Sequence, residues 1–256
     1  MNTRPRRSAE KYAAIWTPDG SPLAVHTARQ TQLLRAALKD FRIEYAMRYG
    51  GPSVAAALEK LKGCESVNVV PLYPQYSESA TRSVLHLLPR VVSISAVKDF
   101  HDHPAYIAAL AVLVEKFWKE KGRGEKLLTS FHGLPKRDAE LYETQCRSTA
   151  TLLAEKLGLK EGEWQVSFQS RFGLAEWLQP YTQPTLEALA RGGMSRVDVV
   201  CPGFVADCLE TLEEIGITAK QAFLAAGGRE LGLIPCLNES PEWIAALAQI
   251  SAGGAL

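Results

Sequence analysis

His132 stands where a strand-like run, Lys126 to Phe131, gives way to Gly133-Leu134-Pro135. An imidazole fixed at the end of a strand can take up a proton near neutral pH, since its unperturbed pKa is about 6.5. A histidine that only hydrogen-bonds a loop carbonyl is an equally good reading of that position taken alone. A second group lies in the segment Ala206 to Ile215, behind Cys201-Pro202-Gly203-Phe204. Asp207, Glu210 and Glu214 are spaced there so that an α-helix, at roughly 100° per residue, sets them in one stripe. Such a row can hold a hard cation or relay protons. It also suits a solvated acidic face near a helix N-terminus, and what favours chemistry is its place directly after a strand. Tyr73 and Tyr76 sit in a Pro-containing loop and suit a pocket wall. Arg48 and Arg171 stand at strand ends, where a guanidinium can hold a carboxylate or pin a loop, pinning being the better reading for Arg171.

Two other clusters carry less. His101-Asp102-His103 looks like a metal group, but residues alternate in direction along an extended segment. A turn and helix cap ahead of Pro104 is the simpler expectation. Cys201 and Cys208 are too far apart for the close thiolate pairs of structural zinc sites. No GxxxxGK[ST], GxGxxG, GxSxG or HExxH pattern occurs, so nucleotide-dependent and serine-hydrolase readings lose their usual support.

These residues need a frame that presents strand ends together. Strand-like runs at Ile43–Tyr49, Val67–Leu72, Val91–Val97, Lys126–Phe131, Gln165–Gln169 and Arg196–Val200 alternate with helical patterns. Among the latter are residues 53–61, 79–88 and 104–119, with a last helix over 241–250 capped by Ser240. Alternation of this kind predicts βαβ units and parallel sheets, whose ligands sit beyond the carboxyl ends of the strands. The polar stretch Glu120 to Glu125 is the natural boundary. The expected division is an N-terminal α/β domain over 1–122, completed by the segment 237–256, and a C-terminal α/β domain over 123–236.

Bulk properties exclude several classes. In 256 residues, 46% are hydrophobic and 22% charged, enough for a sizeable core and against intrinsic disorder. A net charge of +1 leaves no field to hold a nucleic-acid backbone, so no nucleic-acid partner is expected. The longest apolar run, Ala105 to Val114, falls short of the roughly 20 residues of a bilayer crossing. The basic start (Arg4, Arg6, Arg7) has no apolar stretch behind it and is not a secretory signal. Five scattered cysteines fit a reducing, cytoplasmic setting.

Ser130-Phe131-His132-Gly133-Leu134-Pro135-Lys136-Arg137 resembles the signature of ferrochelatase, the enzyme that inserts Fe²⁺ into a porphyrin to complete haem. Phe168 to Gly173 with Trp177 to Thr182 is similar to that family's next block, and Cys201 to Ile215 to its acidic block. Pro71 to Ser77, Ala46 to Gly50 and Tyr12 to Trp16 fit its first half. The resemblance spans essentially the whole chain in the family's order. It implies two Rossmann-like, chelatase-type domains with parallel sheets flanked by helices, around a porphyrin cleft. His132 and Glu210 take the catalytic and metal-binding positions, while Asp207 and Glu214 extend a proton or metal path. Arg48, Tyr73 and Tyr76 line the substrate, with Arg48 near a propionate. The partners implied are a porphyrin, protoporphyrin before coproporphyrin, and the haem product. Fe²⁺ enters as substrate, with no permanently bound cofactor and no iron–sulfur cluster, since the family's clustered cysteines are absent. The setting is cytoplasmic, with peripheral contact to the inner membrane left open.

Three departures shape the expectation. The family's opening strand, Leu-Leu-Val-Asn-Leu-Gly-Thr-Pro, does not precede the Tyr12 block. The loop from His132 to Cys146 is shorter than usual and lacks a Gly-Asp-Pro-Tyr stretch, and the clustered cysteines that hold an iron–sulfur cluster in some members are absent; Cys208, where some members carry His, is no objection. A catalytically degenerate tetrapyrrole binder and a chelatase for another metal or tetrapyrrole are the alternatives.

Overall fold

Short Val- and Leu-rich runs form strands because a half-buried pleat accommodates their branched side chains, and each is followed by a helix that covers the sheet. The computed structural model describes residues 4–89 and 93–253. The chain begins with α1 (Arg4–Ile15), α2 (Pro22–Ala37) and α3 (Val54–Lys60), then β1 (Val67–Val69). A π-helical turn (Glu78–Arg82) runs into the single turn α4 (Ser83–Leu85), followed by β2 (Ile94–Ala96) and α5 (Pro104–Lys121). Next come β3 (Lys126–His132), α6 (Glu140–Lys156), β4 (Trp164–Gln169), α7 (Thr182–Arg191) and β5 (Arg196–Val200). A long π-helix (Leu209–Ala219), α8 (Lys220–Ala225), β6 (Glu230–Leu233) and α9 (Pro241–Gly253) complete the described chain.

Two parallel sheets result: β1 beside β2, and a four-stranded sheet in the order β4-β3-β5-β6. The register of β3 on β4 sets His132 against Gln169, so both end at the same rim. Successive residues on a strand face opposite sides. Leu127 accordingly packs with Tyr106, Val114 and Trp243 from α5 and α9, while Leu128 packs with Ile215 and Phe223 from the π-helix and α8. A third cluster, with Phe131, Cys146 and Phe168, lies under α6. Both faces are therefore covered, as a parallel sheet requires. No helix among the described residues is long and apolar enough to cross a membrane.

The α/β class and its parallel sheets agree with the expectation, while several elements differ from it. Residues 43–49 form no strand; Met47 makes an isolated bridge to Ser53, because a β-prone run becomes a strand only where a neighbour offers a ladder. The strand expected over 91–97 is Ile94–Ala96, and residues 91 and 92 lie outside the described residues. The helix expected over 79–88 is instead a π-turn followed by one α-turn. β6 has no counterpart in the expectation, because Gly232 interrupts its pattern. A Cβ at Gly232 would lie 2.3 Å from Asp198 Oδ1, so glycine there makes room for a buried carboxylate. Asp198 is satisfied by Trp118 Nε1 at 2.8 Å and the Gly124 N–H at 2.6 Å. Arg196 holds the carbonyls of Lys121 and Gly122, so the polar stretch at 120–125 is firmly attached to β5. Ser240 accepts from the Trp243 N–H at 3.3 Å and caps α9, which packs on α5 and α2.

Candidate active site

The site is built at the carboxyl rim of the four-stranded sheet. His132 is the last residue of β3 and half-buried. Its Nδ1 lies 2.6 Å from the Gly133 carbonyl oxygen, which can only accept, so Nδ1 carries a hydrogen and the neutral ring has its lone pair on Nε2. Two hydrogen bonds to backbone carbonyls hold this corner. Gly133 N–H donates to the Gln169 carbonyl at 2.8 Å, and Tyr142 Oη donates to the His132 carbonyl at 2.8 Å. A Cβ at Gly133 would stand 2.7 Å from Gln169 O and 3.2 Å from Trp177 Cε3, a clash with backbone that no rotamer relieves. Gly133→Ala is therefore expected to lower unfolding stability by about 1–3 kcal/mol, as overpacking does, checked by the urea midpoint.

Gln169, the register partner of His132, joins the sheet to the acidic segment. Its Oε1 accepts from Ser130 Oγ at 2.6 Å, and its Nε2 donates to the Glu210 backbone carbonyl at 2.6 Å. Cys208 caps the π-helix, its N–H donating to Thr211 Oγ1 at 3.0 Å. Gly216 lets this wide helix approach β6, since a Cβ there would lie 2.9 Å from Leu233 Cδ2. The π-helix closes i→i+5, so its turns are wider than those of an α-helix. Glu210 and Glu214 still share a face, and Glu214 is fixed by the Ser170 N–H at 2.5 Å and Ser170 Oγ at 2.6 Å. Ser170 adopts φ 64, a left-handed conformation uncommon outside glycine, which turns it toward Glu214.

A cavity of about 280 Å³ lies at this rim, lined by His132, Glu210, Glu213, Glu214, Lys11, Ser170, Phe172 and Leu209. A second, of about 290 Å³, shares Ser170 and Glu214 with it and is bounded by Arg171 and Tyr181. The structure thus brings His132, Glu210 and Glu214 together across 82 residues of sequence. Tyr73 is half-buried near them: burial first, then Tyr49 and Glu210 against the opposing pull of Arg48, pushes its phenol up. Arg48 lies over the Tyr49 ring and donates from Nε to Ser83 Oγ at 3.1 Å. Cys208 is a neutral thiol bonded to the Glu210 carboxylate; burial, then Glu210, pushes it well above the usual thiol range.

Two sequence expectations change here. Asp207 is not on a helical stripe with Glu210 and Glu214, because the helix begins two residues later and is π-wound. Its buried carboxylate accepts from Thr211 Oγ1 at 3.0 Å, the Cys236 N–H at 3.2 Å and Asn238 Nδ2 at 2.7 Å, which anchors the start of the π-helix. An amide there would turn a donor toward another donor, so Asp207→Asn should cost about 1–3 kcal/mol of stability, read from urea unfolding. Tyr76 is not brought to the cavity: its hydroxyl reaches Glu78 at 3.0 Å and Lys98 lies over its ring. Arg171 stacks on Tyr181 with 4.9 Å to the ring centroid, which fits the pinning role. His103 accepts from the Ala105 N–H and caps α5, while His101 pairs with Asp99 at 2.8 Å. Asp99, His101 and Asp102 each place one ligand atom within 4.8 Å of the others, a second group able to meet a cation.

Lys11, Glu213 and Ser170 line the cavity although their types and spacing in the sequence do not mark them out. Glu213 is three residues from Glu210 but about 100° round an α-helix from Glu214, at the edge of the stripe, while Lys11 is remote in sequence. The signal that could have found Ser170 is its place directly after β4, at the same rim as His132.

Two parallel sheets covered by helices, with a carboxylate-bearing π-helix at the strand ends, give an α/β fold that solved chelatases share. The chain is similar in fold to SirB from Bacillus subtilis, solved with Fe³⁺, at a TM-score of 0.63 and 17% identity over 89% of this chain and 91% of that one. CbiX, described as the terminal enzyme of siroheme biosynthesis in denitrifying bacteria, aligns at a TM-score of 0.60 and 16% identity over 93% and 95%. The Ferrochelatase family model matches residues 1–253. Ferrochelatase of Azoarcus sp. (strain BH72) is 55% identical over 262 residues, covering 96% of this chain and 72% of that protein. Ferrochelatase of Aromatoleum aromaticum is 52% identical over 267 residues, covering 98% and 73%. This chain belongs to the ferrochelatase family.

Proposed function

We propose that this protein inserts Fe²⁺ into protoporphyrin to form haem, with His132 and Glu210 as the groups that act on the substrates. The observation that carries the reading is that both line one cavity at the sheet rim. A free-base porphyrin keeps two pyrrole N–H protons and is nearly flat, so insertion must bend the ring, remove both protons and accept a partly dehydrated cation. His132 is suited to the proton step. Its Nε2 lone pair is free to accept, and the Gly133 carbonyl steadies the imidazolium that forms. Glu210, with Glu214 behind it, is suited to hold a hard cation by carboxylate oxygens or to carry the released protons outward. Tyr73, which feels the charges of both Arg48 and Glu210, supports a porphyrin-binding role for Tyr73 and Arg48 beside the cavity, with Arg48 directed to a propionate. Asp207 sets the start of the π-helix from below.

The same reading carries a cytoplasmic setting and no resident cofactor or iron–sulfur cluster. It keeps an N-terminal domain over 1–122 closed by 237–256, beside a C-terminal domain over 123–236. The test is anaerobic mixing of the protein with protoporphyrin and Fe²⁺, or with Zn²⁺, followed by absorbance. Conversion of the free-base spectrum to that of the metalloporphyrin, at a rate proportional to protein, is expected. Porphyrin binding with no insertion would overturn the reading in favour of a tetrapyrrole binder.

A further inference from the structure

The acid row meets a cation of the chain's own. Lys11 Nζ, from α1, lies 2.7 Å from Glu213 Oε2, and both residues line the cavity with His132, Glu210 and Glu214. The other oxygen of Glu213 accepts from Thr218 Oγ1 at 2.8 Å, so this carboxylate is fixed on both sides. Glu213 is only 8% exposed at the side chain, whereas Lys11 is 45% exposed. The pair is therefore not an ordinary surface contact: a half-exposed ammonium reaches in to a buried carboxylate. The next residue on α1, Tyr12, also feels this row, since burial and then Glu210 push its phenol up. Three carboxylates thus share the cavity lining with one ammonium.

We infer that Lys11 sets the affinity of this cavity for the divalent cation, by supplying a fixed positive charge against which the metal must bind. The inference rests on the cavity being the metal-binding part of the insertion site. A unit charge acts on a dication over distances up to about the Debye length of 8–10 Å, and more strongly where the groups are partly buried. Lys11 would then be a positioning residue that limits metal retention and favours transfer to the macrocycle. A purely mechanical role, fastening α1 to the π-helix, predicts no such effect on metal.

The test is calorimetric titration of Zn²⁺ into the metal-free protein without porphyrin, together with KM values for Zn²⁺ and for porphyrin. Lys11→Met is expected to tighten Zn²⁺ binding roughly fivefold to tenfold and to lower the metal KM, leaving the porphyrin KM within twofold. Lys11→Arg should match wild type. Lys11→Met combined with Glu213→Gln restores the cavity's net charge and should return the affinity toward wild type. Lys11→Gln, which also removes the charge but keeps a polar head, should tighten Zn²⁺ binding as Lys11→Met does, which decides the matter if Lys11→Met does not fold. Unchanged Zn²⁺ affinity in Lys11→Met, or a double variant as tight as Lys11→Met, would overturn the inference. A wild type that inserts metal while Lys11→Met is unaltered sinks only the role of Lys11. A wild type that neither binds Zn²⁺ nor inserts it sinks the underlying reading as well.

Discussion

His132→Ala is expected to lower kcat for metal insertion by about 10²–10⁴, the span that removal of a positioned general base or acid produces. Porphyrin binding should change by no more than a few-fold. The expectation of a chemical rather than structural loss follows from how the corner is held. The Gly133 N–H bond to Gln169 O and the Tyr142 bond to the His132 carbonyl both use backbone atoms, and both survive in the alanine variant. Only the imidazole is lost, with its Nε2 lone pair. A kcat within threefold of wild type, measured by absorbance at saturating porphyrin and Zn²⁺, would remove His132 from the proton step.

Glu210→Gln is expected to reduce kcat/KM for the metal by about 10²–10³, corresponding to several kcal/mol of lost charge stabilisation. Glutamine keeps the shape and an oxygen to accept the Cys208 thiol, and the Glu210 backbone carbonyl stays held by Gln169 at 2.6 Å. The π-helix should therefore remain in place while the cation loses a charged ligand. The effect should fall mainly on metal rather than porphyrin kinetics. Equal loss on both substrates, accompanied by a lowered melting temperature, would point to a packing role for Glu210 instead.

The sequence was legible where one physical signal dominated. β5 is Val-rich and buried on both faces, and its bounds, Arg196–Val200, agree with the expectation. His132 was legible because a strand end followed by Gly and Pro fixes a backbone in any context. β6 was hidden by Gly232, whose role is to admit the Asp198 carboxylate, a tertiary reason that local pattern does not carry. The β-prone run at 43–49 forms no strand, because β-propensity says nothing of whether a partner strand lies alongside. The acidic row was half legible. Spacing linked Glu210 with Glu214, but it carries no sign of the π-winding, and the capture of Asp207 by Cys236 and Asn238 depends on contacts distant in sequence. Lys11 was beyond reach for the same reason, since α1 meets the π-helix only in the folded chain.

The most direct measurement is a single-turnover absorbance trace of protoporphyrin with anaerobic Fe²⁺ on wild type and on the His132→Ala, Glu210→Gln double variant, with porphyrin binding followed by quenching of protein fluorescence. Wild type should bind the macrocycle and convert it to the iron porphyrin, and the double variant should bind it and leave it as free base. Conversion by the double variant at the wild-type rate would contradict the account.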